Sequence, residues 1–444
     1  MICFFIKEPA TVLPERKCRS LKVIHQDIQR SRLDNGIRFI TEKIPYLNSV
    51  SLGIWINVGS RHESPDKNGI SHFLEHLIFK GTEKRTAAQI AMEMDAIGGQ
   101  FNAQTSYEYT FFYAKTLDYH VDLAMDLLSD IVHSFVIRDE EMEKERQVIF
   151  EEIKMVKDSP SSYIQELFME KIFPDNHLGL SIAGSIDTVS RISRQDILRH
   201  FHDNYFNPDE IIISAAGNIE HERIKSFFSK SLSKFKKGPA KNGLKKPRFS
   251  VVQHHENKDC GQVNFSLGLE GLHRQDERRY ALFILENIFG GSMSSRLFQK
   301  IREEHGLAYE IFSFSQLFAD TGILETGGAT SPENFSQVMD LIMEEVRRLK
   351  TEKVDEKEIH KAKEQSKGNI ILSLENTSSR MHSLARQEVT HNREVPLDET
   401  IRKIEAVTSE DVLELANFLF DFNKFSLVSL GNLSSDQVPT LPKT

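Results

Sequence analysis

The chain has 444 residues, of which 39% are hydrophobic and 27% charged, with 13 prolines and 23 glycines. This composition excludes disordered and collagen-like chains, and at about 150 residues per domain it leaves room for two or three domains with buried cores. A net charge of −9 argues against a protein that coats nucleic-acid phosphates, so no nucleic-acid partner is expected.

At the N-terminus the apolar run from Ile2 to Ile6 is shorter than the roughly 7–15 residues of a secretory-signal core, so no signal is expected. Cys3, Cys18 and Cys260 are too few and too scattered for a disulfide framework or a cysteine zinc cage, and they suit a reducing compartment. Nowhere does an apolar stretch approach the roughly 18 residues of a membrane span. The expected setting is therefore cytoplasmic.

Asp34-Asn35-Gly36 signals a tight turn, and Ile37 to Ile40 with the alternating Val50, Leu52, Ile54 and Ile56 read as strands. Helical spacing begins at Ile70. Thr86 with Gln89 three residues on forms a capping box that opens a second helix, closed by Gly98-Gly99. Tyr107, Tyr109, Phe111 and Tyr113 then alternate along one strand face, and helices follow around Val121 to Val132 and from Asp139 to about Lys157.

Periodicity stops in the basic, Gly- and Pro-containing stretch 236–248, which reads as a solvated linker between domains spanning residues 30–235 and 249–435. The two domains read as copies. Phe73 to Ile78 is echoed by Ile284 to Phe289, Met125 to Leu128 by Met339 to Ile342, and Ser214 to Ile219 by Leu427 to Asn432, all at nearly one offset. An α+β fold of two homologous repeated domains follows.

The segment Ile70 to Ile78 is the most informative. At 100° per residue Ile70, Phe73, Leu74, Leu77 and Ile78 form one apolar stripe, while His72, Glu75 and His76 share the opposite side. Two histidines at i and i+4 can reach one metal ion, with a glutamate beside them free to act as a base: the H-x-x-E-H order of the inverted zinc peptidases. A catalytic zinc needs a third protein ligand. The acidic helix from Asp139 is the candidate source, with Glu145 and Glu152 two turns apart on one face, although a solvated charged face would look the same.

His72-Phe73-Leu74-Glu75-His76 with Lys80-Gly81-Thr82, then Phe101-Asn102-Ala103 and the helix carrying Glu145 and Glu151-Glu152, resembles the family of pitrilysin, insulin-degrading enzyme and mitochondrial processing peptidase. The resemblance extends from about Leu33 to Leu433. It implies two repeated α/β-sandwich domains and one zinc ion per chain, held by His72, His76 and the glutamate 76 residues after His76, which selects Glu152 over Glu151. It further implies Glu75 as general base acting on water made acidic by zinc, and Glu145 as the supporting carboxylate. Arg302 and Tyr309 match an arginine and tyrosine that the second domain contributes to catalysis. Phe101, Asn102 and Ala103 match the sheet edge along which substrate binds as an added strand.

Phe283 and Asn287 stand where His72 and His76 do, so the second domain cannot hold a second zinc there. The resemblance makes it a chamber wall. The expectation is a zinc-dependent endopeptidase acting on peptides or unfolded polypeptide segments, paired as a homodimer or with a related subunit. The alternative is a non-catalytic partner or scaffold subunit of a processing-peptidase-like complex. Retention of Glu75 favours the enzyme.

Overall fold

The computed structural model describes residues 27–236, 244–434 and 437–441. The N-terminal segment and most of the basic linker stretch lie outside the described residues. Two mixed sheets form the framework. The first contains β1 (Asp27–Arg32), β2 (Arg38–Lys43), β3 (Ser49–Ile56), β4 (Gln100–Thr105), β5 (Thr110–Leu117) and β6 (Ile211–Gly217), in the order β1-β2-β6-β3-β5-β4. The second contains β7 (Gln253–Asn257), β8 (Val263–Glu270), β9 (Ala308–Leu317), β10 (Gly322–Thr330) and β11 (Ser426–Gly431), in the order β7-β11-β8-β10-β9.

Apart from the extra strand β1, the orders are the same: β2-β6-β3-β5-β4 repeats as β7-β11-β8-β10-β9. Pairing sense repeats as well. β2 and β7 run parallel to β6 and β11, whereas β3 and β8 run antiparallel to them. The three echoes in the sequence are thus equivalent parts of two α+β units.

Strand β3 is buried along nearly its whole length rather than on alternate residues, because its sheet is covered on both faces. Val50, Leu52, Ile54 and Ile56 face helices of their own half, packing with Phe73, Leu77 and Leu128. Trp55 and Phe111 face Leu384 and Ala385 on the helix Thr377–His391, which comes from the other half. Reciprocally, the helix Pro160–Ile172 lays Ile164, Leu167 and Phe168 against Ile323, Val428 and Leu430 of the second sheet.

Each half therefore lends a helix to the other's sheet. A glycine stands at both crossings. A Cβ on Gly53 of β3 would come within 2.4 Å of Met381 Sδ, and one on Gly268 of β8 within 2.7 Å of Phe168 Cζ. Polar ties reinforce the exchange: the buried Arg380 pairs with the buried Glu42, and Arg61 of the first half makes two hydrogen bonds of 2.9 and 3.0 Å to Asp320 of the second. No helix among the described residues is long and apolar enough to cross a membrane.

Candidate metal and catalytic site

The helix Ile70–Ile78 buries Ile70, Phe73, Leu74, Leu77 and Ile78, the stripe expected from the spacing. Its start is fixed by backbone geometry. Gly69, at φ 95°, has no room for a Cβ, which would lie 2.6 Å from the carbonyl of Ala183. The buried carboxylate of Glu63 accepts hydrogen bonds from the backbone N–H groups of Gly69 and Ser71, both at 2.8 Å, and from Asn68 Nδ2 at 3.1 Å. It thereby satisfies donors that a helix N-terminus leaves free. Burial still outweighs these bonds and pushes the Glu63 carboxyl up to about 7.

On the opposite side of this helix the rings of His72 and His76 meet edge to face, 4.7 Å between centroids. The twenty-residue helix Asp139–Asp158 brings Glu152 to both: its Oε2 lies 3.7 Å from His72 Nε2 and 3.5 Å from His76 Nε2. One donor atom from each of the three residues lies within 4.8 Å of the others, and this is the one such group of metal-ligating side chains among the described residues. Two imidazole nitrogens and a carboxylate with space between them fit a zinc ion that keeps an open position.

Two turns back, Glu145 is buried and its Oε2 accepts a 3.1 Å hydrogen bond from His76 Nδ1. In the neutral ring that contact keeps the proton on Nδ1 and leaves Nε2 free for a metal, whereas the protonated ring donates to both Glu145 and Glu152. The other oxygen of Glu145 takes Lys80 Nζ at 2.7 Å. His72 has no such support, since its buried Nδ1 has no hydrogen-bond partner.

The electrostatics separate the two histidines. Burial, helped by neighbouring His76 and opposed by Glu152, pushes His72 down to about 4. Burial also acts to lower His76, but hydrogen bonds to Glu152 and Glu145 outweigh it and raise the group above its ordinary value. Glu152 is lowered by its hydrogen bond from His76. Glu75 is raised, chiefly by burial, against the opposing influence of Thr105 on β4, and its buried Oε2 has no protein partner. A buried carboxylate with a free oxygen beside the donor group is suited to taking up a proton.

Phe101, Asn102 and Ala103 lie on β4, an edge strand that among the described residues pairs only with β5. Phe101 packs edge to face on Phe79 just beyond the motif helix, with ring centroids 5.3 Å apart, and Asn102 Oδ1 accepts a 2.8 Å hydrogen bond from Ala103 N. Arg302 and Tyr309 are brought together, the guanidinium stacking 4.7 Å from the ring centroid, with Tyr309 78% exposed. No hydrogen bond, ion pair or ring contact among the described residues links either of them to His72, Glu75, His76 or Glu152.

In the second half Glu286 occupies the place of Glu75. It is held by Ser315 N at 2.8 Å and by Ser315 Oγ, much as Thr105 lies beside Glu75. The contacts of Glu63 and Lys80 were not signalled by spacing. Glu63 could have been suspected as an acidic residue just before a helix start, and Lys80 as a cation one turn after His76.

Residues 38–186 match the family described as Insulinase (Peptidase family M16), and residues 191–366 match Peptidase M16 inactive domain. The uncharacterized zinc protease YmxG of Bacillus subtilis is 40% identical over 410 residues, covering 92% of this chain and all of that protein. The uncharacterized zinc protease SCO5738 of Streptomyces coelicolor is 35% identical, covering 93% of this chain and 92% of the relative. Among solved structures, a protease from Helicobacter pylori superposes with a TM-score of 0.84 at 22% identity, over 91% of this chain and 99% of that one. A Pseudomonas fluorescens structure titled as a peptidase M16 inactive domain also gives 0.84, at 17% identity, over 94% of this chain and all of that one. With both of its halves matched and zinc proteases aligned along nearly its whole length, the chain belongs to peptidase family M16, in its short two-domain bacterial form.

Proposed function

We propose that this protein is a zinc-dependent endopeptidase that hydrolyses peptides or unfolded polypeptide segments. The observation that carries the reading is the convergence of His72, His76 and Glu152 donor atoms within 4.8 Å, next to a half-buried Glu75 whose buried Oε2 has no protein partner. Those three side chains would hold one zinc ion, which when bound polarises a carbonyl and acidifies water.

The chain's own groups do the rest. Glu75 takes a proton from the attacking water as the new C–O bond forms, and returns it to the amine nitrogen as the C–N bond breaks. Glu145 holds His76 in orientation from behind. The free edge of β4 at Phe101, Asn102 and Ala103 offers main-chain pairing to an extended peptide without demanding a sequence. Arg302 and Tyr309 close over the substrate carbonyl from the second half, which serves as the facing wall of the site. A homodimer, or a pairing with a related subunit, would complete that enclosure in a cytoplasmic setting.

Metal analysis tests the ligand set. The wild type is expected to carry one zinc per chain, and Glu152→Ala and His72→Ala to lose it while keeping the fold by circular dichroism. Retention of stoichiometric zinc by both variants would refute the assignment. Zinc-loaded protein that stays inert towards quenched peptide mixtures would instead favour the non-catalytic partner reading.

A further inference from the structure

Two cavities lie between the halves, away from the metal-ligating group. The smaller, about 200 Å³, opens at Ser106, immediately after the β4 edge, and is walled by Trp55, Tyr109 and Phe318. It shares Arg274, Gln316, Leu317 and Arg386 with a second cavity of about 750 Å³. The larger one is bordered by Ser315 and Phe283, the residues around the metal-free copy of the site. The two cavities are neighbours, and their linings reach from Ser106, next in sequence to Thr105, to Ser315, which holds Glu286.

Arginines outnumber carboxylates in the lining, with Glu108 the one carboxylate of the smaller cavity. Four arginines line the larger cavity, namely Arg274, Arg279, Arg380 and Arg386, against one carboxylate, Glu42. Three of them are neutralised: Arg274 by Glu108, Arg380 by Glu42, and Arg279 by Glu277 at 3.5 Å. Arg386, exposed on the helix Thr377–His391 where the two cavities meet, has no ion pair or hydrogen bond among the described residues. His382, one turn back, is pushed down to about 4 by burial and by Arg386. It adds no positive charge beside Arg386 near neutrality.

We propose that Arg386 is a substrate-selecting residue that binds a carboxylate of the peptide lying between the halves, either an acidic side chain or the chain terminus, and so favours acidic segments. This rests on the peptide-binding reading of the β4 edge. A guanidinium lacking a protein partner where two cavities meet is suited to a bidentate carboxylate contact.

The test uses full-length Glu75→Gln protein, which binds without turnover, and fluorescently labelled peptides of about 15 residues, long enough to span several tens of ångströms when extended. Three peptides are compared by anisotropy: internal glutamates with an amidated end, glutamines with a free carboxylate, and glutamines with an amidated end. Adding Arg386→Gln should weaken one or both carboxylate peptides about tenfold. The uncharged peptide should be unaffected, and Arg386→Lys should restore part of the loss. Which carboxylate peptide responds identifies the source. Equal affinities of all three peptides for the proteins with and without Arg386→Gln would overturn the proposal while leaving peptide binding intact. If no peptide binds at all, the proposal falls together with the peptide-binding reading.

Discussion

Under the proposed function Glu145 acts without touching the metal ion, because it holds His76 Nδ1 and leaves Nε2 on the side of Glu152. Replacing it with Gln keeps the shape but substitutes a neutral acceptor for the charged one at 3.1 Å from His76 Nδ1. Zinc affinity should then fall by about 10–100-fold, as measured by competition with a chromogenic chelator. The pH dependence of that affinity follows from the two imidazoles. His72, pushed down to about 4, offers little competition from protons near neutrality. His76 is raised above 6.5. Its protonated form contributes stability to the metal-free fold below 6.5, and that contribution is lost as pH rises through its folded value, so protons compete with metal at His76 even somewhat above 6.5. Zinc affinity should drop markedly from pH 8 to pH 6 in wild type. A flat profile would contradict this assignment of charge.

That His72, Glu75 and His76 share one side of a helix was legible from sequence, because residues on one helix turn need only the 3.6-residue period to be placed. Glu152 was not legible from spacing alone. Glu145, Glu151 and Glu152 all sit on one acidic helix, and the separation from His76 that the resemblance supplies was needed to choose among them. The contact between Arg302 and Tyr309 was not signalled by seven-residue spacing, since it depends on how the chain turns between a helical turn and the start of β9.

At the scale of elements, the motif helix depends on its N-terminus. Glu63→Ala would leave Gly69 N, Ser71 N and Asn68 Nδ2 without their acceptor and should cost roughly 3 kcal/mol in denaturant unfolding, with zinc affinity falling as the helix loosens. Glu63 also sets a pH signature. Its carboxyl rises from an ordinary 4.5 to about 7 on folding, so the folded state holds the proton more tightly and this group's contribution to stability is lost as pH rises through that interval. Unfolding midpoints at pH 5 and pH 8 should therefore differ less in Glu63→Gln than in wild type. The turn at Asp34-Asn35-Gly36, the capping box at Thr86 and the helices from Val121 and Asp139 all follow from local residue chemistry and are present. The exchanged helices are a different matter. Nothing near Gly53 or Gly268 in the chain states that Met381 and Phe168 will press on them, because such contacts join residues far apart in sequence.

For the whole molecule, the duplication visible in three sequence echoes becomes two sheets of one topology, tied by swapped helices and by a buried charge network. Arg61, only 1% exposed, bonds Glu108 at 2.6 Å and Asp320 at 2.9 Å, and Glu108 also pairs with Arg274 and accepts from Ala319 N. Removing the central cation strips the partly exposed Asp320 of Arg61 and leaves the buried Glu108 with Arg274 and Ala319 N alone. Arg61→Met should destabilise the protein by about 3–5 kcal/mol and increase proteolytic cutting between the halves. An unchanged unfolding midpoint would show that this network does not hold the two units together. The repeat is asymmetric at the proposed site: both halves keep a half-buried glutamate, Glu75 and Glu286, but only the first has histidines beside it.

The most direct measurement is hydrolysis of quenched peptides by wild type and Glu75→Gln, each confirmed to carry the same amount of zinc. Cleavage by the wild type, abolished by a chelator and reduced about 10²–10⁴-fold in Glu75→Gln, is the predicted result. Equal rates for the two zinc-loaded proteins would contradict the assignment of Glu75 as the base, and with it the reading of this site.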